Sequence, residues 1–154
     1  MSWNLVKELV RRIADLERRL NNVMVPARVT EVDAKKGLIK VAYAIDEEGN
    51  DVISPWIKWG ETRAGNISTW NPPTVGEQLI CFSPAGEFGA RTIAGPSVFS
   101  KTFPQPHDKA DEQKTQVKKG NKTSHQLMAS NFQTTNIDGE KNIHAKKVTH
   151  TKRA

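Results

Sequence analysis

The chain predicts a mainly β protein with a helical start and an extended, core-poor end. Three observations carry this: apolar alternation paced by turns over residues 27–95, a heptad pattern over residues 3–24, and a last third almost without apolar side chains. Five short strands in roughly seventy residues leave no room for a crossover helix, so the middle suits a small barrel, with an OB-type barrel preferred. The predicted organisation is a coiled-coil helix over 1–25, an OB-fold domain over 26–98, a linker over 99–122 and a strand-forming end over 123–154.

The barrel strands follow in order. Ala27–Asp33 is the first, and Lys35-Lys36-Gly37 turns the chain. Leu38 to Ile45 alternates, with Ile39, Val41, Tyr43 and Ile45 on one face, as a half-buried strand requires. The polar turn Asp46–Asn50 makes a hairpin with Asp51–Trp59, where Pro55 marks an edge or a bulge. A loop through Ala64-Gly65-Asn66 and Trp70 leads to a fourth strand, Gln78–Ser83. Pro84-Ala85-Gly86 turns into a fifth, Ala90–Ala94, ended by Gly95-Pro96. Ile39, Val41, Tyr43, Ile45, Trp56, Trp70, Ile80 and Phe82 are the expected core or interface anchors.

Val6, Leu9, Ile13, Leu16, Leu20 and Val23 are spaced three and four residues apart, the a/d repeat of a coiled coil. Arg12 and Glu17 stand at g and e, where they can pair between chains, while Glu8/Arg12 and Asp15/Arg19 support the helix at i,i+4. The same spacing would serve a helix packed on its own barrel. The stripe is narrow, however, and Arg11, Arg12, Arg18 and Arg19 crowd the rest of the circumference, which favours self-association. Three heptads are marginal alone and need support elsewhere in the oligomer; they do not separate dimer from trimer. Pro26 marks the stop.

Apolar residues make up 36% of the 154, and the shortage is local to the end of the chain. So is the net charge of +6: residues 1–98 hold 12 basic and 12 acidic residues, residues 99–154 hold 11 and 5. A basic end suits nucleic acid, an anionic surface or plain solubility. Pro104 and Pro106 make an extended linker, and Lys109–Lys122 is charged. Leu127-Met128, Phe132, Ile137, Ile143 and Val148 then recur at short intervals among Thr, Asn and Lys, with Asn136–Glu140 as a turn. One such chain buries too little to offset its ordering entropy and would be disordered. Three wound together would gain a shared axis of Phe132, Ile137, Ile143 and Val148.

Catalytic signals are thin. No nucleophile elbow, phosphate-binding glycine loop or zinc-type Cys/His spacing occurs, and the acidic residues read as solvated surface. His144 and His150 are six apart on one strand face, too far for one chain to use both on one metal. Cys81 allows no internal disulfide and packs as a small apolar residue. With no signal sequence or long apolar run, synthesis and assembly in a bacterial cytoplasm are expected. Single-strand nucleic-acid binding is the competing function, through Trp56, Trp59 and Trp70. Against it, seven basic residues of the barrel segment (Arg28 to Arg91) face nine acidic ones, so the phosphate track is missing.

With these segments in place, the chain resembles the central-spike family of contractile phage tails, baseplate assembly protein V, which includes Mu-like phage and phage-tail-like bacteriocin (tailocin) spikes. That family is related to the OB domains of type VI secretion spikes. The residues carrying the resemblance are Ala27–Asp33, Ile39-Lys40-Val41, Ser54-Pro55-Trp56, Ala64-Gly65 with Trp70, Pro73–Gln78, Ser83–Glu87 and Ile93-Ala94-Gly95. The resemblance implies a non-enzymatic homotrimer, an OB domain, and a C-terminal triple-stranded β-helix needle that perforates the outer membrane of a target cell. It further implies a place at the baseplate of a virion or tailocin particle. Baseplate and tail-tube proteins are the implied partners, along with a separate tip protein and a transient outer-membrane contact; nucleic acid is not among them. Family needles commonly end in a His-x-His iron site. Here Val148-Thr149-His150-Thr151-Lys152 lacks the second histidine, so no cofactor or metal ligand carries over.

Overall fold

The computed structural model describes residues 2–129, 132–137 and 140–142. The chain forms two compact units that divide between Pro104 and Gln105.

In the first unit, helix α1 (Trp3–Asn21) precedes strands β1 (Met24–Asp33), β2 (Leu38–Ile45), β3 (Asp51–Ile53), β4 (Ile57–Trp59), β5 (Gln78–Phe82) and β6 (Ile93–Val98). The sheet order β1-β5-β6-β4-β2-β3, with β1 also paired to β2, closes a ring of five strands and leaves β3 on the flank of β2. All pairs are antiparallel except β4–β6, in which Lys58 lies opposite Ile93. This is an OB-like barrel with one helix. Ala27, Val29, Ile39, Val41, Ile57, Leu79, Cys81 and Ala94 fill it, and Val32, Tyr43, Trp59 and Phe88 pack against them. The Tyr43 and Phe88 rings stack with centroids 3.8 Å apart.

Proline and bulge chemistry sets several boundaries differently from expectation. The third strand is two strands. Pro55 has no N–H for the ladder, so the chain leaves β2 at Ser54, whose hydroxyl oxygen accepts the Val41 N–H at 3.0 Å. Pro26 does not follow the helix as a stop. It sits inside β1, opposite Ile80, where β1 pairs only with β5 and its missing donor faces no strand. The fifth strand is Ile93–Val98, not Ala90–Ala94. Pro96 lies at the bulge where register with β5 shifts between Leu79 and Cys81, and Thr92 is held in the connection by the Ser83 hydroxyl at 2.9 Å.

Helix α1 ends at Asn21, so Val23 is not on it. The Asn22 and Val23 N–H groups return to the Arg19 and Leu20 carbonyls, and the Val23 carbonyl accepts the Ser83 N–H at 2.9 Å. The expected supports form: Arg12 bonds Glu8 at 3.0 Å and Arg19 bonds Asp15 at 2.8 Å. The last turn meets Ser83–Glu87, with Arg19 Nη2 3.6 Å from a Glu87 carboxylate oxygen. Gly86, at φ +67°, lies so close that a Cβ there would stand 2.2 Å from the Arg19 carbonyl oxygen.

The second unit is one antiparallel sheet: β7 (Gln113–Lys119), β8 (Lys122–Ala129), β9 (Phe132–Ile137) and β10 (Glu140–Asn142), in chain order. Strand β7 falls within the expected linker. It pairs along its whole length with β8, from Gln113 opposite Met128 to Lys119 opposite Lys122. Backbone hydrogen bonds build this hairpin, and its side chains offer no apolar alternation to read. The expected turn narrows, because β9 and β10 pair from Ile137 opposite Glu140; Asp138 and Gly139 lie outside the described residues.

Candidate functional site

Three features of the described residues stand out, and none is a catalytic cleft. No group of three or more His, Cys, Asp or Glu is placed to hold a metal among the described residues, and no described helix is long and apolar enough to cross a membrane. His144, His150, Ile143 and Val148 lie outside those residues.

The first feature is α1. None of its residues is buried. Leu9 is 47% exposed, Ile13 55%, Leu16 65% and Leu20 72%, while Val6 is half-buried. The expected seam is therefore not laid against the barrel of its own chain. Glu17 makes no ion pair among the described residues, while Arg12 is held at Glu8. Arg18 and Arg19 suit the carbonyl end of the helix dipole, and the Arg18 guanidinium holds the Asp15 carboxyl below its usual range.

The second feature is the connection from β4 to β5. The Glu61 carboxylate accepts the Asn71 N–H at 2.5 Å, the Trp59 indole N–H at 2.9 Å, the Asn71 side-chain amide at 2.9 Å and the Thr69 hydroxyl at 2.8 Å. These donors, the Asn71 N–H foremost, lower its pKa to about 2. The loop is tied further by Thr69 N–H to the Arg63 carbonyl at 2.9 Å. Glu61 thus fixes a turn that holds Ile67, 78% exposed, and Trp70, 61% exposed, in solvent. The expectation that every acidic residue is idle surface fails here. A Trp-x-Glu at a strand end, with Thr and Asn ahead in the loop, is the only hint the sequence carries, and it is weak.

The third feature is the sheet of the second unit. Val117 is 71% exposed and Met128 38%. Ahead of β7, Glu112 bonds the His107 ring at 2.9 Å and the Lys109 ammonium at 3.1 Å, and Lys109 leads in holding its carboxyl below the usual range. Phe132 and Ile137 open and close β9.

The expected barrel residues divide. Ile39 and Val41 are core, and Tyr43 packs against it. Ile45 is not; it is 71% exposed at the end of β2, beyond the ring. Trp56 and Trp70 are not core either. Trp56 is 39% exposed, with the Lys40 ammonium 4.8 Å from its ring, and Trp70 lies tilted 5.3 Å from Trp59. On β5 the inward residues are Leu79 and Cys81, so Ile80 and Phe82 point outward, half-buried. Burial raises the Cys81 thiol to about 11.

Residues 25–97 match the family model described as the type VI secretion system/phage-baseplate injector OB domain. Over 99 residues the chain is 29% identical to the spike protein of Escherichia phage P2. That alignment takes in 64% of this chain and 44% of the phage protein, so the chain spans less than half the length of this relative. Residues 25–97, which contain the whole closed ring of strands but for its first and last residues, are similar to the baseplate-injector OB family.

Proposed function

We propose that the chain is a non-enzymatic spike subunit of a phage-type baseplate, assembled as a homotrimer at the tail tip of a virion or tailocin. It carries force from the tail into a target cell envelope and gives the baseplate and tail tube a foundation to assemble on. The observation that carries this reading is the union of a barrel similar to the injector OB domain with a helix that buries none of its residues and leaves Leu9, Ile13, Leu16 and Leu20 open to solvent. Such a helix gains stability by meeting copies of itself, with Arg12 and Glu17 set to pair across the seam. In the same reading the second unit contributes a strand-rich needle, its axis drawn from Phe132, Ile137, Ile143 and Val148. Wound strands share load through their ladders, and folding is coupled to association. A tip protein caps the needle, and the envelope contact is transient.

Sedimentation equilibrium of the full chain at micromolar concentration is the test. A trimer is expected; a monomer with an ordered second unit overturns the proposal. Single-strand binding through Trp56 and Trp70 has less support, since the cation beside the Trp56 ring, Lys40, is already paired with Glu31 at 3.0 Å. Salt-sensitive oligonucleotide binding would revive it.

A further inference from the structure

The chain that enters the second sheet is held at two points. Glu112, one residue ahead of β7, accepts from the Lys109 ammonium at 3.1 Å and from His107 Nε2 at 2.9 Å. Lys114, on β7 itself, donates to the Pro106 carbonyl at 3.0 Å. Residues two apart at the start of a strand share a face, so Glu112 and Lys114 reach the same side and grip one short segment, Pro106 to Lys109. The grip is sheltered. The Glu112 side chain is 9% exposed and that of His107 23%, in a unit with no buried apolar residue among those described. Lys109, at 62%, closes the solvent side. After Glu112 the sequence has no acidic residue until Asp138, so β7 and β8 carry no substitute for this carboxylate.

We propose that residues 106–114 are a clasp: Glu112 and Lys114 bind the incoming chain to the start of the second sheet, and protonation of Glu112 opens it. The clasp closes within one chain, so it stands or falls apart from the oligomeric reading. Lys109 foremost, then His107, holds the Glu112 carboxyl below its ordinary value of 4.5. A carboxylate lowered in this way stabilises the closed clasp fully above pH 4.5, and that contribution fades as pH falls further. The other charges at the site do not replace it. Asp108 and Asp111 act on Lys109 from the solvent side, and Lys114 is engaged at the Pro106 carbonyl. Opening the clasp frees Pro106 to Lys109 while the β7–β8 ladder, which runs from Gln113 opposite Met128, keeps its own bonds.

Limited trypsin digestion of the full chain at neutral pH, read by mass spectrometry, is the test. Cleavage after Lys109 reports the open clasp, since proteolysis follows the population of the opened form. Glu112→Gln is expected to speed that cut by about tenfold, because it removes the charge that strengthens two bonds. His107→Ala, which leaves Lys109 on the carboxylate, should fall between Glu112→Gln and the parent. Asp111→Asn removes an acid nearer the scissile bond without touching the clasp, and should cut like the parent. Cleavage after Lys101, ahead of the clasp, should be the same in all of them. The Glu112 carboxyl resonance, followed by nuclear magnetic resonance, should titrate below 4.5 in the parent and move back toward 4.5 in Lys109→Gln. Cleavage after Lys109 as fast in the parent as in Glu112→Gln overturns the inference. So does an equal acceleration by Asp111→Asn, or a Glu112 carboxyl that titrates at or above 4.5 in the parent. A monomeric chain leaves the clasp standing and overturns only the oligomeric reading.

Discussion

Residues 24–98 and residues 113–142 are both built from short, mostly antiparallel strands, yet only the first set encloses an interior. Every buried apolar residue among the described ones lies between Ala27 and Ala94, and none lies in the second unit. Ring closure explains the contrast. Pairing β1 with both β2 and β5 turns one face of each strand inward and leaves no long free edge in the ring, whereas β7 to β10 form an open sheet with two edges. Backbone hydrogen bonds are present in both, and net they contribute little without an interior. A barrel can therefore carry its own stability, while an open polar sheet acquires stability from what covers it.

Separating the two is the largest test. A fragment of residues 1–104 should unfold cooperatively on heating, followed by circular dichroism, whereas residues 105–154 alone should show no cooperative transition at micromolar concentration. A sharp, concentration-independent melt of the second fragment would break the contrast. Within the barrel, Leu79→Ala removes a fully buried side chain and should cost about 2–5 kcal/mol in denaturant unfolding. The matching change in the open sheet, Val117→Ala, removes a 71% exposed side chain and should stay within about 0.5 kcal/mol for dissociated chain. A large effect of Val117→Ala confined to the oligomer would show that association supplies the missing cover.

The junction of helix and barrel gives a smaller effect. Gly86→Ala adds a Cβ at positive φ and drives it into the Arg19 backbone, so the helix end must move. A loss of about 1–2 kcal/mol is expected, together with weaker association as the seam is re-aimed. Glu87→Gln removes only the exposed Arg18 and Arg19 contacts and should change stability by less than about 1 kcal/mol. Equal effects from the two variants would mean that charge, not close approach, fixes the helix.

How much of this was legible follows the same division. Period-two alternation marks β2, because Ile39 and Val41 face the core with Lys40 between them on the other face. The heptads exposed α1. Strand ends differ from expectation where a proline sits in a strand at a place that needs no donor: Pro26 and Pro96 look like stops in sequence, yet one faces no partner and the other occupies a bulge. On β5 nearly every residue is apolar, so alternation cannot say whether Ile80 and Phe82 or Leu79 and Cys81 face inward; closure against β1 and β6 decides it. Strand β7 looks like linker in sequence because backbone pairing alone defines it. Glu61 leaves only a weak trace in sequence for a related reason: its donors Asn71 and Thr69 come from the far side of a loop.

That carboxylate supplies the finest test, since it orders a loop without a core beneath it. Its folded pKa of about 2 lies below the ordinary 4.5, so its contribution is fully present above pH 4.5 and fades as pH falls toward 2. The paired Trp59 and Trp70 rings report directly on the loop, through near-ultraviolet circular dichroism or fluorescence. Between pH 4.5 and 2 their signal should change while the far-ultraviolet signal of the barrel, which does not depend on Glu61, holds. Glu61→Gln keeps a carbonyl acceptor but loses the charge that strengthens four bonds, and should show the altered tryptophan signal already at pH 7. If the variant and the parent are indistinguishable at pH 7 and titrate alike, the ordering of Ile67 and Trp70 belongs to the backbone ties between Arg63 and Thr69, and Glu61 is a surface charge after all.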